Sequence, residues 1–204
     1  MSRNTSLITR SVEFRSAAEP GDGLTLEGYA AVFNQDTEIS SWEGTFSERI
    51  AKGAFVKTLR EKTPVMQFDH GHDPRTGTVP IGVYTELRED SHGLFVAGRL
   101  HDNDLVKPIR QAIASGALTG MSFRFRVVKD EWTDEKGRKL DAEAAYDRLY
   151  RGKEKLSRTI REVALSEAGP VVSPAYAGTS VGVRDTSTTI TSSQAARRLR
   201  LLDL

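Results

Sequence analysis

Apolar and polar side chains alternate along most of this chain, which is the periodicity of β-strands. A first strand is predicted within residues 1–20, and the turn Pro20-Gly21-Asp22-Gly23 separates it from the next one. The pattern predicts the remaining strands at 24–33, 65–68, 81–87, 94–100, 118–128 and 159–165. Because only a turn at 88–93 lies between two of these strands, we expect them to form a hairpin.

Helical spacing of apolar residues is found in shorter stretches. One apolar stripe predicts a helix over 104–114, and another helix is favoured at 141–149. Apolar positions within 46–59 fit one or two short helices interrupted by a glycine, whereas the polar stretch 34–43 is expected to be a loop. Many strands with few helices indicate an α+β fold with a mainly antiparallel sheet or barrel.

Composition divides the chain into one domain and a tail. The 204 residues suit a single domain, which we expect over 1–184. Charged residues are concentrated in 129–158, and we interpret that segment as an exposed insertion. Residues 185–193 are rich in Thr and Ser, and residues 194–204 have the pattern of a short basic amphipathic helix, so 185–204 is expected to be a linker and tail.

Charge and cysteine content exclude several classes of function. Lys and Arg total 29 and Asp and Glu total 28, a net charge of +1, so a broad basic surface for nucleic acid is not expected. The sequence has no apolar run of membrane-spanning length and no apolar segment of a secretory signal near its first residue, and we interpret it as intracellular. Without cysteine, a nucleophile must be an oxygen or a nitrogen.

All four histidines lie between positions 70 and 101, and two of them fall in the segment Asp69-His70-Gly71-His72-Asp73. Three interpretations compete for this segment. It is a polar turn, or a metal site with imidazole and carboxylate ligands, or the location of a general base that takes a proton from a hydroxyl near neutral pH. The metal interpretation lacks a third histidine or a glutamate at ligand spacing.

Ser122 is the candidate nucleophile because of its context. It follows Gly120-Met121 and enters a strand of bulky residues, and a small side chain after a glycine lets a substrate backbone approach closely. Arg124 and Arg126 share the strand face of Ser122, where a cation would stabilise negative charge that develops on an acyl oxygen. The alternative is an edge strand whose serine and arginine side chains only face solvent.

Two acids are candidates to orient a histidine through its second ring nitrogen, as the acid does in a serine triad. They are Glu162 and Glu167, which lie in and just beyond the predicted strand 159–165. Because they are five residues apart, they lie on opposite faces of a regular strand, and at most one of them reaches a given imidazole. Either acid is also compatible with a solvated surface position.

Several short motifs follow one another between about residues 10 and 180. They are LEGYAAVFN at 26–34, FSERIAKGAF at 46–55, FDHG at 68–71, PIG at 80–82, GALTGMSFRFRV at 116–127, IREVALSE at 160–167 and PAY at 174–176. Together, and in this order, they resemble the tailed-phage prohead (capsid maturation) protease family, which is distantly related to the herpesvirus assemblins.

The resemblance implies a serine endopeptidase on a small, mainly antiparallel β-barrel flanked by helices, with neither metal nor cofactor. The family's serine maps onto Ser122 and its histidine onto His70, with Asp69 in place of the usual asparagine. His72 is the rival histidine, because His72-Asp73-Pro74 imitates another version of the motif. The implied residues for binding the oxyanion and the substrate are Gly120 and Arg124.

The resemblance leaves the third member of the triad open. Alignment with the assemblin strand that carries a second histidine selects Glu162. The phage pattern Leu-x-Glu-Val-Ser instead matches residues 165–169 and selects Glu167, although Ala168-Gly169 departs from the usual Val-Ser. Both acids remain candidates.

The implied activity is cleavage of the capsid protein precursor in its scaffold region, and of the protease itself, inside the assembling procapsid in the host cytoplasm. No membrane and no specific nucleic acid is implied, and a homodimer is left open. Two other functions stay compatible with the residues: an inactive capsid-assembly scaffold protein of the same fold, and a metal-dependent hydrolase that uses His70, His72 and Asp73. The tail at 185–204 is then a tether or a segment removed by self-cleavage.

Overall fold

The structure is a computed structural model, and it describes residues 8–13, 24–41, 44–152, 154–172 and 181–182. Within these residues eleven strands form one sheet. The strands are β1 Ile8–Glu13, β2 Thr25–Val32, β3 Thr37–Ser41, β4 Gly44–Ile50, β5 Val65–Met66, β6 Gly82–Glu89, β7 Gly93–Leu100, β8 Gly120–Thr133, β9 Lys139–Leu140, β10 Ser157–Val171 and β11 Val181–Gly182. The helices are α1 Val56–Glu61, α2 Lys107–Ala114 and α3 Ala142–Arg151, and a 3₁₀ turn covers Asp69–Gly71.

The long strand β10 organises the sheet. On one side it pairs in parallel with β4 near its start and with β5 near its end, and the sheet continues from β5 through β6 and β7 to β2. On its other side β10 runs antiparallel to β8, which in turn pairs with β1. Because β1 lies near β2, the sheet curls into a half-barrel. The expected α+β fold with a mainly antiparallel, barrel-like sheet is confirmed.

The main hydrophobic core fills the concave face of this sheet. In β8 the alternation predicted from the sequence directs Met121, Phe123 and Phe125 into the core. The side chains of Ser122 and Arg124 therefore project from the opposite face of β8. This alternation determines which side of the sheet can carry chemistry.

A second, smaller core lies where 129–158 was expected to be an exposed insertion. The surface of this segment is charged, but β8 extends into it and α3 packs on β4. Asp141 caps α3 by accepting a hydrogen bond from the Ala144 amide at 2.8 Å. The buried members of this core are Ile39, Phe46, Trp132, Ala145, Leu149 and Leu156. The interpretation as an exposed insertion is therefore wrong for the apolar residues spaced among the charges, because they form a core with β3 and β4.

Two further predictions fail in the region before α1. The polar stretch 34–43 was expected to be a loop, but it contains β3, and 46–50 forms β4 instead of a helix. Phe46 and Ile50 are four residues apart, a spacing that suits one face of a helix and one face of a strand equally well. Glu48, midway between Phe46 and Ile50, is the residue that would distinguish a strand from a helix. It is buried like its neighbours on that face, but because it is charged it hides the strand alternation in the sequence.

The other predicted elements are present with shifted ends. The strand predicted within 1–20 is β1, the helix predicted over 104–114 begins at Lys107, and the strand predicted over 159–165 extends over Ser157–Val171. The turn at 20–23 and the tail at 185–204 lie outside the described residues. No helix within the described ranges is long and apolar enough to cross a membrane.

Candidate active site

His70 is placed by an unusual turn directly after β5. Asp69 and His70 have φ values of 47° and 57°, in the left-handed region that residues with a side chain seldom adopt. Backbone strain of this kind is concentrated at functional sites, where the surrounding structure holds it. The 3₁₀ turn packs against β8 and β10, so the strained backbone brings the imidazole over these two strands.

The imidazole of His70 lies between a hydroxyl and a carboxylate. Its Nε2 is 2.7 Å from Ser122 Oγ, and its Nδ1 is 2.6 Å from Glu167 Oε2. The side chains of His70 and Glu167 are 9% and 5% exposed, and Ser122 is fully buried. These three residues come from separate parts of the chain, and the structure brings them together.

The register of β10 against β8 explains why Glu167, and not Glu162, reaches the histidine. Gly169 pairs with Ser122, so Glu167 lies two residues along β10 from the level of the serine and Glu162 lies seven residues away. The pairing of β10 with β8 is irregular at several points, one of them between Leu165 and Glu167. After this shift Glu167 pairs with Arg124, on the strand face that carries Ser122. Strand parity alone cannot locate such a shift.

Glu162 lies elsewhere, on the surface. Its carboxylate is 3.1 Å from Lys57 Nζ and 3.0 Å from Lys129 Nζ. Hydrogen bonds from Lys129 and Lys57 hold the pKa of Glu162 below its usual value. Glu162 is thus an ion-paired surface acid in this structure and does not contact His70.

His72 and Asp73 also remain apart from this constellation. His72 is exposed, and its ring centroid is 6.2 Å from that of His70. Asp73 accepts hydrogen bonds from the backbone N–H groups of Arg75 and Thr76, and these bonds shape the turn that follows. Over the described residues, no group of three or more His, Cys, Asp or Glu side chains is arranged to hold a metal ion.

Arg124 lies between the backbone of the histidine and the acid. Its Nη2 donates to the His70 carbonyl oxygen at 3.3 Å, and its Nε is 3.9 Å from Glu167 Oε2. Within the described residues, the other carboxylate oxygen of Glu167, Oε1, is buried and has no hydrogen-bond partner. Arg124 is therefore placed to hold the histidine turn against Glu167, and its expected part in binding an oxyanion stays a prediction.

Ser122 lies in an interior strand, so the alternative of a solvent-facing edge strand is wrong. In register, Ser122 pairs with Ser11 of β1 on one side and with Gly169 of β10 on the other. Gly120, two residues earlier, is likewise flanked by both strands, and its expected role with the substrate stays a prediction. Arg126, on the same face, is exposed.

Tyr84 is a neighbour of the site that the sequence pattern did not single out. Its hydroxyl donates a hydrogen bond to the Ala168 carbonyl oxygen at 2.9 Å, next to Glu167 in β10. Burial, with the nearby negative charge of Glu167, raises the pKa of Tyr84 far above its usual value. Tyr84 is therefore a neutral donor that holds the strand carrying the acid. The pairing of β6 with β5 brings Tyr84 beside β10, and no local sequence motif indicates this position.

A hydroxyl, an imidazole and a carboxylate in this order are the groups of a nucleophile, a base and the acid that orients the base. The fold and the site thus define a half-barrel protein with a Ser–His–acid constellation. The chain belongs to the caudovirus prohead serine protease family, whose model matches residues 10–194. The resemblance found from the motifs is confirmed.

This chain is similar to known proteins of phages. The prohead protease of Enterobacteria phage HK97 is 34% identical over 116 residues, which are 55% of this chain and 48% of that protein, so the match spans about half of its length. The structure of the bacteriophage T4 capsid assembly protease matches with a TM-score of 0.50 at 12% identity, over 82% of this chain and 98% of that chain. The second match is a likeness of fold.

Proposed function

We propose that this protein is a serine endopeptidase that cleaves capsid or scaffold protein during prohead maturation, with Ser122 as nucleophile, His70 as general base and Glu167 as the orienting acid. The observation that supports this most directly is the continuous line of contacts from Ser122 Oγ through both ring nitrogens of His70 to Glu167. Membership of the prohead serine protease family supports the reaction class.

In this mechanism His70 Nε2 takes the proton of the Ser122 hydroxyl while Oγ attacks the carbonyl carbon of the scissile peptide bond. The Glu167 carboxylate accepts a hydrogen bond from the Nδ1–H group and stabilises the imidazolium that forms. His70 then gives the proton to the leaving amine, and an acyl ester remains on Ser122. Water, activated by the same imidazole, hydrolyses the ester and restores the enzyme.

Negative charge develops on the acyl oxygen during the attack, and each donor aimed at it is worth about 3–4 kcal/mol. Arg124 and Gly120 are our candidates for this part of the site. Arg124 is the cation nearest to Ser122 on its strand face, and Gly120 is two residues before it. To bind the oxyanion, the Arg124 guanidinium must give up its hydrogen bond to the His70 carbonyl oxygen and donate to the acyl oxygen of the substrate instead.

The proposed substrate is the capsid protein precursor in its scaffold region. The matched proteins of phages HK97 and T4 are named a prohead protease and a capsid assembly protease, and this supports a capsid substrate here. The proposed place of action is the assembling procapsid in the host cytoplasm. We further propose that 1–184 is the protease domain and that self-cleavage occurs within 185–204.

The test is incubation of the purified protein with its cognate capsid precursor, followed by gel electrophoresis and mass spectrometry. The wild-type protein should cleave the precursor, and Ser122→Ala should not, with unchanged circular dichroism. Ser115→Ala, which removes an exposed hydroxyl at the end of α2, is the matched control and should cleave normally. Cleavage by Ser122→Ala would contradict the proposal.

The same assay separates the two other functions. A metal-dependent hydrolase would lose activity when a chelator is added, whereas the proposed serine enzyme should not. An inactive scaffold protein would leave the precursor intact even at high concentration of the wild-type protein. Intact masses of the wild-type and Ser122→Ala proteins that differ only by the one oxygen atom of the substitution would contradict self-cleavage of the tail.

A further inference from the structure

β1 covers the serine in a way that a bound peptide would. It runs antiparallel to β8 with Ser11 opposite Ser122. The carbonyl oxygen of Arg10 accepts a hydrogen bond from Ser122 Oγ at 2.9 Å. In a serine protease, the carbonyl group closest to the nucleophile belongs to the residue on the N-terminal side of the scissile bond. Arg10 is in that position here.

The hydrogen bonds of Ser122 indicate a resting state. A hydroxyl has one proton, and here that proton is donated to the Arg10 carbonyl oxygen, so it is not donated to His70. While the proton points to Arg10, Oγ cannot donate it to His70 Nε2, which is 2.7 Å away. Attack requires the opposite arrangement, in which Oγ donates to an unprotonated Nε2. A substrate must therefore displace β1 or bind with its carbonyl group turned from this position.

The side chain of Arg10 fills a buried site that contains a carboxylate. Its Nε and Nη2 are 2.7 Å and 2.6 Å from Glu48 Oε1, and the two side chains are 5% and 3% exposed. On the far side of Glu48, Arg158 Nη1 is 3.3 Å from Oε2, and Arg158 Nε donates to Asp130 at 2.7 Å. Glu48 thus lies between two guanidinium groups.

The charges of this group are balanced only while Arg10 is present. Among the described residues, Arg10 and Arg158 face the carboxylates of Glu48 and Asp130, so these four charges sum to zero. When Arg10 leaves, one cation remains with two carboxylates, of which Glu48 is buried and Asp130 is 23% exposed, and the four-residue group carries a charge of −1. A buried, uncompensated charge is costly, so the vacated site favours another cation over a neutral or acidic side chain.

We propose that β1 occupies the substrate groove in the manner of a substrate, and that Glu48 makes this enzyme select Arg or Lys on the N-terminal side of the scissile bond. The inference rests on the proposed role of Ser122. In the reaction, the bond between the carbonyl carbon of that basic residue and the next nitrogen breaks. The acyl group passes to Ser122 Oγ, and the serine proton reaches the leaving amine through His70.

The first test uses synthetic peptides that copy residues 6–15 of this chain, with Arg10 retained or replaced by Lys, Met or Glu. Cleavage by the full-length protein is followed by mass spectrometry. Because a hydrogen bond to a charged group contributes a few kcal/mol, kcat/KM for the Arg peptide should exceed that for the Met peptide by about 100-fold. The Glu peptide should be the poorest substrate.

The variant Glu48→Gln should reduce the ratio of kcat/KM values for the Arg and Met peptides by about tenfold or more. A merely structural role for Glu48 would lower both values together and leave their ratio unchanged. Glu131→Gln is the matched control, since that acid lies on the surface and pairs with Arg161. It should leave the ratio at its wild-type value.

A second variant moves activity in the opposite direction. Arg10→Ala removes the guanidinium that pairs with Glu48, so β1 is bound less tightly over Ser122. The full-length variant should therefore cleave the added Arg peptide faster than the wild-type protein does. Loss of an ordinary structural ion pair would lower activity. Arg49→Ala, which breaks an exposed pair with Asp36, is the control and should not raise the rate.

Binding to the inactive Ser122→Ala protein provides a readout that does not depend on cleavage. By fluorescence anisotropy, the Arg peptide should bind at least about tenfold more tightly than the Met peptide. Equal affinities would overturn the inference. Ser122-dependent cleavage without preference for a basic residue would also overturn it and would leave the proposed function intact. Cleavage that persists in Ser122→Ala would instead contradict the proposed function, and this inference with it.

Discussion

Replacing Glu167 by glutamine removes the negative charge beside His70 and keeps almost the same volume. To take the serine proton, the imidazole must start the reaction uncharged, so the charge of Glu167 has little to attract before the transfer. In the transition state the ring becomes an imidazolium, and the carboxylate 2.6 Å from Nδ1 stabilises it. The substitution should therefore lower kcat and leave KM nearly unchanged.

The expected size follows from the distance and the burial. Opposite charges about 4 Å apart attract by about 4 kcal/mol at an effective dielectric constant near 20. The Glu167 side chain is only 5% exposed, so solvent does little to screen this attraction. Since each 1.36 kcal/mol changes a rate about tenfold, Glu167→Gln should reduce kcat by about 10³-fold.

The assay is steady-state cleavage of a capsid-precursor peptide by wild-type protein, Glu167→Gln and the matched variant Glu162→Gln. Glu162 pairs only with exposed lysines, so Glu162→Gln should behave like the wild-type protein. Thermal unfolding of each variant verifies that it is folded. If Glu162→Gln lost as much activity as Glu167→Gln, or if Glu167→Gln kept full kcat, the assignment of the acid would be refuted.

Three predictions concern stability. Gly169→Ala would place a Cβ 1.8 Å from the Gln67 carbonyl oxygen, so differential scanning calorimetry should show a fall in Tm of about 5 °C or more. Trp132→Ala should lower the free energy of unfolding in urea by about 3–5 kcal/mol, because Trp132 is the largest side chain of the smaller core and is 2% exposed. Lys129 and Lys57 lower the pKa of Glu162. The stability that these pairs give is therefore present at pH values above the ordinary pKa of 4.5 and is lost as the pH falls below it. Between pH 6 and 3, the Tm of Glu162→Gln should accordingly fall less than the Tm of the wild-type protein.

The sequence predicted two members of the constellation because each has a local signature. Ser122 follows a glycine in an otherwise bulky strand, and His70 follows a short apolar strand in a turn of small and acidic residues. Neither signature depends on distant parts of the chain. The half-barrel was predictable for a similar reason, since alternation within each strand is a local property.

The acid of the constellation could not be predicted from the sequence, because its position depends on the pairing between strands. The choice between Glu162 and Glu167 is decided by the irregular register of β10 against β8, which no pattern within β10 reveals. The same limit applies to β4, where the buried Glu48 conceals the alternation. Its partner Arg10 is 38 residues away, and only the folded sheet shows that the charge is compensated.

Covalent labelling with a fluorophosphonate shows whether His70 activates Ser122 as a nucleophile. The reagent should be present long enough for β1 to open, and the modified residue is identified by peptide mapping with mass spectrometry. We expect one adduct, on Ser122, and its loss in His70→Gln. An adduct on another serine, or labelling of Ser122 that proceeds equally fast in His70→Gln, would contradict the activation of Ser122 by His70.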